Sequence, residues 1–258
     1  MEQEKNDVST SFISGRNAVH EALRSGRPAD TLFVAEGGAE GSLRALIAKA
    51  KAQGIVVKDV KKQKLEQLCG NSHHQGVVLA AAAHTYADLE DLFVAAQAKG
   101  EPPFFVICDE IEDPHNLGAV VRTAEGAGAH GVIVPRRRSA PLSETVDKTA
   151  AGALEYLPVA RVANLAAAIE QLKARGVWIY GADMAGTPFE QWNPAGPVAL
   201  VIGAEGKGLG RLIKERCDGL VSLPMRGHVR SLNASVAAGI LLYEIARHRC
   251  VVQTHTKG

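Results

Sequence analysis

Residues able to do chemistry gather in three stretches of this chain. The first runs from Asp113, Pro114, His115 and Asn116 through Gly118 to Arg122 and Ala124. The second leaves an apolar run, Leu200 to Ile202, at Gly203 and continues through Glu205, Gly206, Gly208 and Gly210. The third joins Leu223, Pro224 and Met225 to Arg230, Ser231, Leu232, Asn233, Ala234 and Ser235. The last two open on a strand-like apolar run and break at Gly or Pro. Buried strands present main-chain N–H and C=O groups in this way at their carboxyl ends, where open α/β sheets bind ligands. The chemistry on offer is recognition by backbone, with Asn116, Arg122, Glu205, Ser231 and Asn233 as polar side chains beside it.

Each of these residues has a plainer reading. Asn116 reads as an N-cap, Gly118 leaves space where a side chain would stand, and Arg122, four positions on, projects from the same helix face. Alone, that is a capped helix with a surface arginine. Ser231 begins the final helix and could only cap it, a role worth about 1 kcal/mol. Glu205 could be a loop residue pairing with Arg122. Asn233, one turn into an otherwise apolar helix, is harder to explain as packing.

Other patterns lead nowhere. Gly126, Gly128 and Gly131 fit a dinucleotide fingerprint but lie after a helix and before a strand, the reverse of the required order, and read better as a helix C-terminus. Gly203 to Gly208 fits the glycines of a phosphate-binding loop, yet Leu209 and Gly210 stand where Lys and Ser or Thr must be. His73, His74 and His84 lack helical metal spacing, so no metal is expected. The four cysteines, Cys69, Cys108, Cys217 and Cys250, contain no C-x-x-C pair and read as reduced, inert thiols, with Cys108, at a strand end, the one candidate nucleophile.

The elements that must position these residues are legible in the periodicity. Strands are expected at Phe104 to Cys108, Gly131 to Val134, Val159 to Val162, Val177 to Tyr180, Val198 to Ile202 and Leu220 to Leu223, with helices between them. Leu165, Ala168, Ile169 and Leu172 make one apolar stripe facing a sheet, and Leu232, Val236, Ile240 and Tyr243 line one side of the last helix. This is an α/β domain with a mostly parallel sheet, assigned to residues 104–250. Residues 12–83 alternate shorter runs and read as a separate small α/β module. Between them, 84–103 turns polar and ends in Gly100, Glu101, Pro102 and Pro103, which reads as a linker.

With 258 residues, 46% hydrophobic and 22% charged, the composition is that of an ordinary globular protein. The start, Met1 to Asp7, is polar and acidic rather than a secretory signal, and no apolar run approaches the ~18 residues of a spanning helix, so no membrane partner and a cytoplasmic location are expected. Lys and Arg number 29 against 28 Asp and Glu, so a nucleic-acid partner must meet local patches. Candidates are Lys58, Lys61, Lys62 and Lys64; Arg136, Arg137 and Arg138; and Arg226, His228 and Arg230.

At Asp113 to Ala124, Leu200 to Gly210 and Leu223 to Ser235 the chain resembles, in the right order and near the C-terminus, the three motifs of the SpoU (TrmH-type) branch of the SPOUT superfamily. These are S-adenosylmethionine-dependent RNA 2'-O-ribose methyltransferases with a trefoil knot. Ser14 to Val19 and His73 to Val77 look like the small substrate-binding domain, similar to a ribosomal-protein fold, that precedes the catalytic domain in bacterial 23S rRNA guanosine 2'-O-methyltransferases of the RlmB type. The resemblance implies that backbone groups at Gly203, Leu223 and Leu232 hold the S-adenosyl-L-methionine, and that Arg122, Asn116, Glu205, Ser231 and Asn233 surround the transferred methyl. It implies a homodimer whose site a neighbouring subunit completes, with 23S ribosomal RNA as partner. Arg230 departs from the family's usual uncharged or acidic residue. Arg122 is expected to grip a phosphate and stabilise the developing alkoxide, since a guanidinium is a poor base; deprotonation by Arg122 itself is the other possibility. The same reaction on tRNA or another rRNA nucleotide, or a non-catalytic RNA-binding assembly module, are the alternatives.

Overall fold

A computed structural model of the chain describes residues 12–24, 28–37, 41–69, 73–81, 85–229 and 231–254. Of the residues singled out above, Met1 to Asp7, His84 and Arg230 lie outside them. The chain divides into two compact units: Met1–Thr85 with Pro141–Thr145, and Tyr86–Ala140 with Val146–Gly258.

The first unit is built from β1 (Phe12–Ser14), α1 (Arg16–Arg24), β2 (Ala29–Ala35), α2 (Ser42–Ala52), β3 (Val56–Val60), α3 (Lys62–Cys69) and β4 (Val77–Ala81). Its sheet has the order β1-β4-β2-β3, with β4 antiparallel to both neighbours and β2 parallel to β3. Because side chains alternate along a strand, Leu32, Val34, Val77 and Leu79 face a core with Val19 and Leu23 of α1 and Leu43 and Leu46 of α2. Ala35 and Val78 face the other way, onto Leu65 of α3. The two front motifs meet at one end of this sheet. The Arg16 N–H donates to Gln75 Oε1 at 3.0 Å, and the Arg16 guanidinium donates to the Gln75 carbonyl at 3.2 Å and to Ser42 Oγ at 3.2 Å.

The second unit holds α4 (Leu89–Lys99), β5 (Phe104–Asp109), α5 (Pro114–Gly126), β6 (Gly131–Pro135), α6 (Glu144–Ala150) from Val146 on, β7 (Val159–Val162), α7 (Leu165–Ala174), β8 (Trp178–Pro188), β9 (Val198–Gly203), α8 (Arg211–Arg216), β10 (Gly219–Ser222) and α9 (Ala234–Thr254). All six strands are parallel, in the order β10-β8-β9-β5-β6-β7. The order reverses between β5 and β9, every residue of which is buried. Phe105, Ile107, Val201 and Ile179 face one layer, with Leu92 of α4, Leu165, Ile169 and Leu172 of α7 and Ile213 of α8. On the other side α9 packs against β9 and α5.

Three expectations change here. The stretch 84–103, read as a linker, carries α4, started by a capping box in which the Asp88 N–H donates to Asp91 Oδ2 at 2.7 Å. Its Leu92 is fully buried and sits where any Cβ at Gly131 would be, so this helix is part of the core and fixes a glycine at the start of β6. The apolar side of α9 that faces inward is Ala234, Ala238, Leu241, Leu242 and Ile245, while Val236, Ile240 and Tyr243 are 50%, 40% and 57% exposed. Gly118 leaves no bare patch: a Cβ there would lie 2.6 Å from Thr149 Cβ and 2.8 Å from the Val146 carbonyl, so its absence lets α6 close on α5.

Candidate active site

The middle of β8, the carboxyl ends of β9 and β10 and the start of α9 enclose a cavity of about 310 Å³. β9 ends at Gly203, where a Cβ would collide with the Gly208 carbonyl and the Leu209 nitrogen. Only glycine lets the loop 204–208 fold back so tightly, closed by the Gly208 N–H on the Ala204 carbonyl at 2.8 Å and turned by positive φ at Gly206 and Gly208. Beyond the loop the Gly210 N–H donates to Asp109 Oδ2 at 2.7 Å, tying the end of β5 to the start of α8. Burial pushes the Asp109 carboxyl above its ordinary range, with Glu110 nearby adding to the rise and the Gly210 hydrogen bond opposing it.

Gly203, Leu223 and Leu232 all line this cavity, as do Glu205 and Ser231. Asn116 and Asn233 stand behind Glu205. Asn233 donates through Nδ2 to Asn116 Oδ1 at 2.9 Å and to Glu205 Oε2 at 3.5 Å, and Asn116 donates to the same Glu205 oxygen at 3.3 Å. Three residues drawn from the three motif stretches thus form one triangle. At about 1 kcal/mol per net hydrogen bond, the triangle ties the exposed Glu205 to the starts of α5 and α9.

The helix caps differ from expectation. Asp113, not Asn116, caps α5: its carboxylate accepts from the His115 N–H at 2.8 Å, with Pro114 in the first turn. That leaves the Asn116 amide free to reach Glu205. Asn233, not Ser231, caps α9, since its Oδ1 accepts from the Ser235 N–H at 2.9 Å, the Ser235 hydroxyl at 2.6 Å and the Val236 N–H at 3.4 Å. One side chain therefore starts the last helix and anchors the triangle, while Ser231 is exposed at the cavity and free of capping duty. Arg122 is exposed on α5, makes no hydrogen bond or ion pair among the described residues, and does not line the cavity. Glu205 is therefore partnered by the two asparagines and not by Arg122. Burial pushes the Cys108 thiol up to about 12, with Asp109 adding to the effect, which removes it as a nucleophile.

Met225 of the third stretch lines the cavity too, which also has walls that spacing did not reveal: Asp183 and Met184 on β8, Lys207 in the glycine loop, and Ala237 and Leu241 of α9. Asp183 stands in the middle of β8, two residues past Gly181, where no spacing marks it.

The model of the SpoU rRNA Methylase family matches residues 103–243, and that of the RNA 2'-O ribose methyltransferase substrate-binding domain matches 12–87. The chain belongs to the SpoU family. That makes it an RNA methyltransferase. A Bacillus subtilis (strain 168) relative, YacO, whose name places it in the TrmH family of tRNA/rRNA methyltransferases, is 51% identical over 239 residues, covering 92% of this chain and 96% of its own. Among solved SpoU structures, AviRb from Streptomyces viridochromogenes in complex with AdoMet superposes with a TM-score of 0.59 at 26% identity, covering 93% of this chain and 90% of its own. The AdoMet-bound rRNA methyltransferase of Sinorhizobium meliloti gives 0.58 at 28% identity, over 92% and 87%.

Proposed function

We propose that this SpoU protein is a cytoplasmic enzyme of the RlmB type, which moves a methyl group from S-adenosylmethionine to the 2'-hydroxyl of a guanosine in 23S rRNA. The observation that carries this reading is the convergence of Asn116, Glu205 and Asn233 beside a cavity lined by Gly203, Leu223 and Leu232. The residues fit the cofactor. The close approach at Gly203 leaves main-chain groups of the loop at the cavity, and Leu223, Met225 and Leu232 give apolar contact for an adenosyl group. The bound cofactor supplies an electrophilic methyl on a sulfonium.

The protein's own task would be to hold the ribose hydroxyl where the methyl is offered and to take charge off its oxygen. Rigid backbone loops suit the first demand. For the second, Arg122 grips a phosphate beside the target ribose and stabilises the developing alkoxide, its fork matched to phosphate geometry. Its place outside the cavity of its own chain, together with the exposed stripe Val236, Ile240 and Tyr243, supports a homodimer in which each subunit's Arg122 serves its partner's site. The return of α9 to the middle of the sheet, against β9 and α5 rather than beside β10, supports a knotted C-terminus. The front module, residues 12–83, holds the RNA.

Mapping 2'-O-methyl sites in total RNA from cells with and without the protein tests the substrate. A guanosine signal lost from 23S rRNA is expected; one lost from tRNA moves the reading to the alternative substrate. No binding of S-adenosylhomocysteine would leave only the non-catalytic module.

A further inference from the structure

The β8 wall of the cavity is irregular in a way the glycine loops are not. β10 pairs Leu220 with Gly181 and then its next residue, Val221, with Thr187, so 182–186 on β8 have no counterpart and leave the ladder. Gly186 brings the excursion back, its backbone lying against that of Leu220 and Val221 where no Cβ would fit, and its carbonyl accepts from Ser222 Oγ at 2.9 Å. Bulges of this kind re-aim side chains beside sites. Here the excursion puts Asp183 and Met184 into the cavity wall.

Asp183 is held firmly. Lys214 Nζ of α8 lies 2.9 Å from its Oδ2, and the Ala185 N–H donates to its Oδ1 at 2.9 Å. Partial burial works to raise the carboxyl, but the hydrogen bonds from Lys214 and the Ala185 N–H outweigh it and keep it below the usual range. It therefore stays an acceptor across the physiological range. The charged residues lining the cavity, among those described, are Asp183, Glu205 and Lys207. Glu205 is engaged by the two asparagines, and Lys207 can only donate. An ionised carboxylate offers about four acceptor sites, of which the protein fills one on each Asp183 oxygen.

We propose that Asp183 is a cofactor-binding residue that accepts hydrogen bonds from the vicinal ribose hydroxyls of the S-adenosyl group, as acidic residues do for the ribose of dinucleotides in other α/β folds. The assignment rests on the S-adenosylmethionine reading above and names the side chain that recognises its sugar. Lys214 acts through Asp183, fixing the carboxylate's direction from outside the cavity.

Calorimetry on the full chain tests this with two ligands, S-adenosylhomocysteine and its 2'-deoxyadenosyl analogue. Binding of S-adenosylhomocysteine by the unaltered protein is the control; its absence would overturn the cofactor reading itself. Given that binding, Asp183→Asn is expected to weaken S-adenosylhomocysteine about tenfold or more, the worth of a hydrogen bond to a charged group, and to weaken the deoxy analogue much less. Equal losses for both ligands, or no loss for either, overturn the proposal, because a merely structural aspartate would not distinguish the sugars. If Asp183→Asn does not fold, Asp183→Ser carries the same comparison. Equal affinity of the unaltered protein for the two ligands sinks the proposal without any variant.

Discussion

The amino and carboxyl ends of the strands in the six-stranded sheet each carry a polar cluster, and the clusters do opposite work. At the amino end, His130 is 1% exposed, its Nδ1 accepts from the Phe104 N–H at 3.1 Å, and its Nε2 lies 3.3 Å from Glu101. Arg249 of α9 donates to the same carboxylate at 3.3 Å and to the Pro102 carbonyl at 2.7 Å. These groups face one another and fasten α9 to the segment that enters β5. At the carboxyl end the polar groups are spread around a cavity, and Lys207 and Ser231 among them are exposed. Polar groups consumed by the fold stabilise it; polar groups left open at strand ends are available to a ligand.

The sharpest way to break the carboxyl end is Gly203→Val. Its branched side chain would meet backbone at Gly208 and Leu209, which cannot yield as a flexible side chain would. Overpacking of this kind costs about 3 kcal/mol or more, so a lower thermal midpoint and loss of S-adenosylhomocysteine binding are expected. A variant that binds normally would show that the loop tolerates a different path.

The amino end is tested by acid. Burial, with Arg249 and Lys99 nearby, lowers the His130 pKa to about 4, against an ordinary 6.5. The folded state therefore resists a proton that the unfolded chain accepts. The stabilisation from keeping this ring neutral is whole above 6.5 and is lost progressively as pH falls from 6.5 towards 4. The loss is about 3 kcal/mol across that window. Denaturant unfolding of the protein and of His130→Gln across those pH values measures it, the variant being expected to show the shallower acid slope; parallel slopes would remove His130 from the account.

Much of this was legible in the sequence, for physical reasons that also explain the failures. β5, β6 and β9 announced themselves because parallel strands covered on both faces read as continuous apolar runs. The stripe of α7 was legible because its opposite face is polar; Leu165, Ala168, Ile169 and Leu172 are all buried. The last helix misled because it is apolar on more than one side, and periodicity cannot choose which side turns inward. Helix α4 was obscured by its polar surface and the prolines after it, although Asp88 and Asp91 form a capping box. At the site, the glycines were visible because backbone recognition demands residues without side chains. Asp183 was not, because a register jump on β8 leaves no period to read.

Asn233 joins the two kinds of polar group, being both a cap and a member of the triangle. Replacing it by Ala removes a cap worth about 1 kcal/mol and strands the Asn116 carbonyl oxygen, for a total of about 2 kcal/mol. Asn233→Asp separates the roles. It keeps the acceptor for Ser235 and Val236 but sets a carboxylate against Glu205, so a thermal midpoint nearer to that of the unaltered protein with methyl transfer still strongly reduced is expected. If both variants lose stability and activity in step, the triangle is only a cap.

The smallest expected effect on stability belongs to Arg122. It is exposed and unpaired among the described residues, so Arg122→Ala and Arg122→Lys should each leave unfolding free energy within about 0.5 kcal/mol of the starting value. Methyl transfer measured on ribosomal RNA should nonetheless fall sharply in both, because lysine keeps the charge but loses the fork that grips phosphate. Binding of S-adenosylhomocysteine should be unchanged, since Arg122 does not line the cavity of its own chain. Near-native activity in the lysine variant would mean that charge alone suffices and that the fork does no gripping. Mixing Arg122→Ala with Gly203→Val subunits then asks where the arginine acts: if it serves the partner's cavity, half of the mixed dimers' sites combine an intact loop with an intact arginine and activity returns, whereas an arginine acting within its own chain leaves the mixture inactive.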